Sequence, residues 1–548
     1  VSNSRQPEFP EPEKTRQLVS ALLKKKGINV QQKEAISARP VFSPTPASFA
    51  QQRLWLLEKM APGNRYNIQV ALRLKGPLDL PSLNNAWQEI LKRHEILRTT
   101  FGLVDDQIMQ FISPEPQSSL RLFDLTADAA PKREEKARQI LGVQAQETFD
   151  LANGPLIRPA VIQVEAEDYI LSLTMHHIIA DGWSMVVLVR ELTELYAALS
   201  EGRPHRLPHL MIQYADFAWW QRQRLTGEFL AEQLGFWRKQ LAGAPTLDLP
   251  ADHPRPRKEE FRGAHHHFLI PEEIAERLRD LGRSNHASLF MVLLAVWKVL
   301  LYRHSGERDV VVGIPIANRT RVEIESLIGF FVNTLVLRTD VDGNSYFKEV
   351  LSRTRRATLD AYEHQEVPYD KLVAELQPER IAGQNPFFAT LLNWVNMPEA
   401  NLELGQIQCE FVQSVPLENP STKFDLSLNV VERSGALPVS LECSTELYER
   451  STIERMSRHL QNLLAGIAVN ADQPVGQLPL LDEAERNQVL DEWNQTKRDY
   501  PAYETVLELL EAQACKTPEN PAVLFEGECL SYRQLHQQAN QLAHFLKK

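Results

Sequence analysis

Met175-His176-His177-Ile178-Ile179-Ala180-Asp181-Gly182-Trp183-Ser184 closes a run, Tyr169-Ile170-Leu171-Ser172-Leu173-Thr174-Met175, that reads as a buried strand. The strand delivers two imidazoles, a carboxylate and a glycine into one turn. Histidine is the side chain best suited to moving a proton near neutral pH, so the cluster is a candidate site for acyl transfer. Two other readings compete with catalysis. One is a pair of satisfied structural histidines. The other is a metal site, but neighbours on a strand point to opposite faces, so His176 and His177 do not converge on one ion. No His-Glu-x-x-His or paired Cys-x-x-Cys spacing supports a metal either. In the catalytic reading one imidazole faces a cavity and the other faces the fold. Asp181 and Gly182 then shape the turn, and the glycine lets a backbone N–H approach a substrate closely.

Outward from the turn, helices and strands mix. Met185 to Ser200 carries Val186, Leu188, Val189, Leu192, Leu195 and Tyr196 largely on one side, and reads as a helix broken by the Pro-rich Arg203 to Pro208. Pro81 to Glu95 is a second helix, whose apolar stripe takes in His94 as a structural residue. Tyr214 to Arg224 is a third. Leu289 to Trp297 is too short to span a bilayer and is soon followed by Lys298, so it reads as a buried helix. Asp309 to Pro315 is a buried strand, with further strands at Leu335 to Thr339 and Asp425 to Val431. A short amphipathic helix at Thr15 to Lys26 precedes all of these. Pro250 to Arg262 is an irregular basic crossing segment. This alternation predicts an α/β sandwich of two lobes.

The bulk properties exclude some classes. At 548 residues the chain exceeds one core. A composition of 43% hydrophobic and 24% charged residues is that of a soluble globular protein. A net charge of −11 argues against a nucleic-acid partner, because phosphate contacts need a basic surface. Four widely spaced cysteines fit reduced thiols in a cytoplasmic protein. No apolar run reads as a membrane span or signal peptide. The absent initiator methionine suggests a piece of something larger.

The histidine segment resembles the signature of condensation domains of nonribosomal peptide synthetases, members of the chloramphenicol acetyltransferase-like superfamily. Further segments stand in the family's order: Ser48-Phe49-Ala50-Gln51-Gln52-Arg53-Leu54-Trp55, Arg93-His94-Glu95-Ile96-Leu97-Arg98-Thr99-Thr100-Phe101, Tyr214-Ala215-Asp216-Phe217-Ala218, Ile328-Gly329-Phe330-Phe331-Val332-Asn333-Thr334, His364-Gln365-Glu366-Val367-Pro368-Tyr369 and Asn385-Pro386-Phe387-Phe388. The resemblance covers about residues 40 to 485. It implies two acyltransferase-like α/β lobes in a V-shaped pseudodimer. The expected division is an N-terminal linker or docking helix at 1–40, a first lobe at 41–215 and a second at 216–485. Residues 486–548 would be a linker and the truncated start of an adenylation domain, whose first motif Leu530-Ser531-Tyr532-Arg533-Gln534-Leu535 resembles.

The resemblance also implies chemistry. A donor acyl or peptidyl thioester and an acceptor aminoacyl thioester arrive on phosphopantetheine arms of two carrier proteins, with no cofactor bound covalently to this chain. The acceptor amine attacks the donor carbonyl. His177 is the expected catalytic residue, as base or as positioning group. His176 and Asp181 support the fold, and the Gly182 N–H faces the developing oxyanion. Asn333, Trp183 and Ser184 are candidates for substrate contact. An arginine pairs with Asp181, and Arg98 and Arg319 both qualify. Trp183-Ser184-Met185 resembles domains that join an L-donor to an L-acceptor. The alternatives are a noncatalytic domain of this fold that recruits carriers or tailoring enzymes, and a stand-alone acyltransferase.

Overall fold

The computed structural model describes residues 35–40, 44–256, 262–378, 385–396, 403–404, 407–412, 422–499 and 505–548. The helix expected at 15–26, and residues 257–261 of the crossing segment, lie outside them. The chain divides into two compact units, Val1–Leu480 and Leu481–Lys548.

The first unit holds two six-stranded sheets, each the floor of one lobe. In the first lobe β2 (Asn67–Lys75) is followed by α2 (Leu80–Arg93), and the antiparallel pair β6 (Ile157–Glu165) and β7 (Asp168–His176) by α4 (Gly182–Ser200). The central strands run in the order β2, β7, β6, with β5 (Arg121–Asp124) parallel to β6. The second lobe repeats the unit. β8 (Gly263–Ile270) is followed by α7 (Glu272–Ser284), and the antiparallel pair β14 (Leu426–Val431) and β15 (Leu437–Ser444) by α11 (Arg450–Val469). Its strands run β8, β15, β14, with β11 (Thr390–Val395) parallel to β14. β9 (Asp309–Ile316) and β10 (Asn333–Asp340) complete that sheet. The two-lobe α/β fold is thus a duplication of a strand–helix–strand–strand–helix unit.

Sequence patterning explains where the cores sit. β7 is buried along nearly its whole length. Leu171, Leu173 and Met175 face a core with Leu83, Trp87, Ile90, Leu188 and Leu192 of α2 and α4. On the opposite face Ile170 meets Ala137 and Leu141 of α3 (Ala130–Gln146). A strand covered on both sides reads as a continuous apolar run, as it does here. In the second lobe α8 (Leu289–Ser305) is buried from Leu289 through Leu301, because strands and helices pack around it. Lys298 is enclosed with it at 0% exposure. No single helix among the described residues is long and apolar enough to cross a membrane.

The lobes do not follow chain order completely. β12 (Glu403–Leu404) and β13 (Ile407–Phe411) leave the second half and pair onto β2 at the edge of the first-lobe sheet. The expected division at 215/216 is corrected to that extent: the strands at Glu403–Leu404 and Ile407–Phe411 belong to the first lobe's sheet.

In the second unit, α13 (Val506–Lys516) precedes a hairpin of β16 (Pro521–Phe525) and β17 (Glu528–Ser531), and α14 (Tyr532–Leu546) follows it. Glu526 and Gly527 turn the hairpin with φ of 48° and 87°, the left-handed pair of a tight primed turn. Ser531 and Gln534 form the expected capping box on α14.

Candidate active site

The turn after β7 separates the two histidines. A short 3-10 turn, His177–Ile179, follows the strand, and Asp181 caps α4 through the Ser184 N–H (2.8 Å). His176 is buried. Its Nδ1 accepts from the Ile178 N–H (3.1 Å), which leaves the ring proton on Nε2, 3.8 Å from Glu58 Oε2. It is enclosed in the first lobe's core. His177 differs. Its backbone N–H donates to the Tyr66 carbonyl (2.7 Å), the residue is part-buried, and its ring packs edge-on against Phe330 at 4.9 Å. Nδ1 lies 2.7 Å from the Ala180 carbonyl oxygen, which can only accept. Nδ1 therefore carries the proton, and Nε2 presents a lone pair. Burial, then the nearby positive charge of Lys423, hold this imidazole down to about 4. It is neutral near pH 7.

Asp181 does not serve the imidazole as the carboxylate of a triad does. Its Oδ1 accepts from the Ser184 N–H, lies 2.7 Å from Ser184 Oγ and takes the Arg319 guanidinium at 3.1 Å. Its Oδ2 accepts from the Phe331 N–H (3.0 Å). Both oxygens are committed to the segment of the second lobe after β9. Arg319 is the partner of Asp181. Arg98 is not: its guanidinium donates to the carbonyls of Leu91, Ser113 and Pro114 within the first lobe. The Arg319 side chain also donates to the Ile324 and Leu327 carbonyls and stacks on Phe331 at 4.1 Å.

Three residues expected at the substrate are used elsewhere. Ser184 is fully buried, and its Oγ sits between Asp181 and the Gly329 backbone, accepting from the Gly329 N–H (3.0 Å). The Trp183 indole N–H donates to the Glu325 carbonyl (3.0 Å). Asn333 donates to the Gln365 and Val367 carbonyls and accepts from the Thr334 and Tyr369 N–H groups. Its amide has no capacity left for a substrate, and it clamps the start of α10 (Tyr369–Leu376) to β10. Gly182 is the first residue of α4, where helix N–H groups lack intrahelical acceptors.

The ordered sequence segments assemble as joints around this turn. Ser48, N-cap of α1 (Phe49–Met60), bonds the Tyr214 hydroxyl (2.9 Å), which donates to the Phe330 carbonyl (2.6 Å). Gln51 donates to the Ile178 carbonyl (3.2 Å). A Cβ at Gly329 would lie 1.9 Å from the Tyr214 ring, so only glycine fits there. Arg39 bridges Asp216 (2.6 Å) and Glu95 (2.9 Å), and His94 pairs with buried Glu191 (2.7 Å). A small cleft of about 50 Å³ is lined by Arg53, Phe330, Asn333, Tyr369 and Asp370, and Phe330 is its link to the His177 ring. Arg53 and Asp370 cross it at 3.0 Å.

Sequence reasoning missed Glu58, Tyr66 and Lys423. Nothing in a strand or helix period marks them; each acts across elements distant in sequence. Phe330 stood inside a quoted segment, but its neighbour His177 lies in another.

Comparison with known proteins bears on the family and the fold. The family model described as Condensation domain matches residues 43–490. A linear gramicidin synthase of Brevibacillus parabrevis is 43% identical over 509 residues, which are 92% of this chain and 10% of that protein. The chain therefore spans about a tenth of that relative's length. Among solved structures, the X-domain in complex with OxyB from teicoplanin biosynthesis superposes with a TM-score of 0.74 at 26% identity, covering 83% of this chain and all of that one. The first condensation domain of the calcium-dependent antibiotic synthetase, solved with a substrate analogue, gives 0.66 at 20% identity over 80% of this chain and 99% of that one. The chain belongs to the condensation-domain family of nonribosomal peptide synthetases.

Proposed function

We propose that this chain forms an amide bond between a donor acyl or peptidyl thioester and the α-amine of an acceptor aminoacyl thioester. Both substrates are carried on the phosphopantetheine arms of peptidyl carrier proteins. An adjoining adenylation domain would load the acceptor carrier. The observation that carries this reading is the state of His177: Nδ1 tied to the Ala180 carbonyl, which leaves Nε2 unprotonated, in a residue that is only part-buried.

Thioesters are already activated, so much of the barrier is removed by holding two tethered groups in line, worth ~7–11 kcal/mol in favourable cases. The amine nitrogen bonds to the donor carbonyl carbon and the C–S bond breaks. His177 Nε2 accepts a hydrogen bond from the amine and takes or relays the proton that leaves it, a role worth roughly 10²–10⁴-fold. That proton ends on the departing thiolate. The Gly182 N–H, at the start of α4, is the proposed donor to the developing oxyanion. Asp181, fully occupied by Ser184, Arg319 and Phe331, holds the turn. The segment around Trp183-Ser184-Met185 supports an L-donor, L-acceptor elongation type.

The likeness to an X-domain solved with OxyB favours a second reading, recruitment without condensation. One experiment separates the two. Donor and acceptor carriers loaded with aminoacyl-phosphopantetheine are mixed with the protein, and the acceptor carrier is weighed by mass spectrometry. Condensation gives a dipeptidyl thioester on the acceptor carrier. Recruitment alone gives carrier binding without product.

A further inference from the structure

The buried stripe of α1 is Gln51, Leu54 and Glu58. Two of the three are polar, and a carboxylate is rarely enclosed without a task. Gln51 donates to the Ile178 carbonyl in the histidine turn (3.2 Å). Glu58, seven residues on and so on the same helix face, turns both carboxylate oxygens toward groups beside His177. Its Oε1 accepts from the Gly63 N–H (2.9 Å). Three residues after Gly63, the Tyr66 carbonyl accepts from the His177 N–H (2.7 Å). Its Oε2 faces His176 Nε2 at 3.8 Å. One side chain thus reaches both the residue before His177 and the loop that holds the His177 backbone.

Both groups that Glu58 faces are donors. His176 is 1% exposed, with the Tyr66 and Phe149 rings each 6.2 Å from its own. Its Nδ1 accepts from the Ile178 N–H (3.1 Å), so the ring proton sits on Nε2. Among the described residues no hydrogen bond reaches that N–H, and Glu58 Oε2 is the carboxylate oxygen turned toward it. Burial alone would push Glu58 up, but the pull of His176 and of the Gly63 N–H outweighs it and holds the carboxyl below its usual range. Burial lowers His176. The pair is therefore a carboxylate beside a neutral imidazole near pH 7. A carboxylate can accept from both donors. A glutamine has one oxygen and one NH2, so either Gly63 or His176 would meet a second donor.

We propose that Glu58 is a positioning residue for the condensation: it fixes His176 as the Nε2–H tautomer and, through Ile178 and the loop ending at Tyr66, holds the turn that presents His177 Nε2 to the acceptor amine. The Ile178 N–H needs a lone pair on His176 Nδ1, and that lone pair exists only while the ring proton stays on Nε2. Without the carboxylate the proton is free to move to Nδ1, where it opposes the N–H of the residue that follows His177. Glu58 itself touches no reacting atom. This inference rests on the reading of His177 as the group that meets the amine.

The test compares the intact protein with Glu58→Gln and Glu58→Asp. In histidine-labelled protein the two ring nitrogens of His176 are read by NMR at pH 7. The wild type should carry the proton on Nε2 with Nδ1 bare, and Glu58→Gln should show a substantial share of the Nδ1–H form. Condensation on loaded carriers should lose about tenfold or more in kcat in Glu58→Gln, with KM for either carrier changed by less than about threefold. Glu58→Asp is shorter but keeps two acceptor oxygens. It should hold the wild-type tautomer and lose less in kcat than Glu58→Gln, which a role in packing alone would not produce. A wild-type His176 protonated on Nδ1 overturns the proposal. So does a Glu58→Gln protein with tautomer and kcat unchanged, or a Glu58→Asp protein slower than Glu58→Gln. Where Glu58→Gln gives no folded protein, a shift of the tautomer in Glu58→Asp overturns it and its retention supports it. If the wild type condenses nothing while the Glu58→Gln tautomer shifts as expected, the proposed function fails and the coupling of Glu58 to His176 stands.

Discussion

At the end of β7 the first lobe turns into α4 through His176-His177-Ile178-Ile179-Ala180-Asp181. At the end of β15 the second lobe turns into α11 through Thr445-Glu446-Leu447-Tyr448-Glu449. The strands on either side have the same order and the same directions in both lobes. The two junctions are built differently. In the first lobe Asp181 is its own N-cap, buried, and tied across the lobes to Arg319 and Phe331. In the second lobe Glu449 makes no side-chain cap bond. Asp252, from the crossing segment, accepts instead from the Glu449 N–H (2.9 Å) and the Thr452 hydroxyl (3.0 Å) at an exposed surface. The repeated scaffold is a common solution to packing helices on a sheet. The proposed chemistry falls at one of the two junctions, the one whose carboxylate is buried and which carries the part-buried His177.

That difference makes the junctions unequal under mutation. Asp181→Ala strands the Arg319 guanidinium, whose side chain is 3% exposed, without its carboxylate. Breaking a buried pair this way costs about 3–5 kcal/mol, and a large drop in the urea midpoint or loss of soluble protein is expected. A midpoint within experimental error of wild type would remove the structural role of Asp181.

The second lobe carries its own buried charge, and there the sign is opposite. Lys298 in α8 is fully enclosed, with Nζ donating to Thr339 Oγ1 (2.6 Å), and burial lowers it to about 7. Its folded value lies below its unfolded one near 10.4. Its favourable share of stability is therefore complete above pH 10 and is lost as pH falls toward 7. Lys298→Met should raise the urea midpoint at pH 7 by roughly a few kcal/mol equivalent and flatten the rise in stability between pH 7 and 10. Unchanged pH dependence would show that Lys298 is solvated.

Gly329→Ala sharpens the comparison at the interlobe joint. The new methyl meets the Tyr214 ring at 1.9 Å, and overpacking of this kind costs about 1–3 kcal/mol, read as a lower melting temperature. Asp252→Ala should do least. Its bonds are exposed, and losing a helix cap costs about 1 kcal/mol. If Asp252→Ala destabilised as much as Asp181→Ala, the two junctions would be equivalent and the contrast between them empty.

Much of the fold was legible because its elements are periodic. The alternation in Met185 to Ser200 and the apolar run at Asp309 to Pro315 put α4 and β9 where they occur. His94 was placed correctly as structural because it shares a stripe with Trp87 and Leu91, and Glu191 satisfies it inside the core. The site was legible only in outline. The turn after β7 named His177, but the choice between Arg98 and Arg319 depends on which chain segment folds back onto Asp181. Ser184, Trp183 and Asn333 have side chains that suit substrates, but each also bonds a backbone group more than 30 residues away. The move of β13 into the first-lobe sheet leaves no local trace, since an edge strand pairs through its backbone.

The central claim is that one imidazole, on one of two matching junctions, performs the work. The most direct measurement is a single-turnover condensation on preloaded donor and acceptor carriers with wild type and His177→Ala, each checked for an unchanged melting temperature. The account predicts dipeptidyl thioester on the acceptor carrier with wild type, and a rate at least about 10²-fold lower with His177→Ala. A folded His177→Ala protein that makes product within tenfold of the wild-type rate would contradict it.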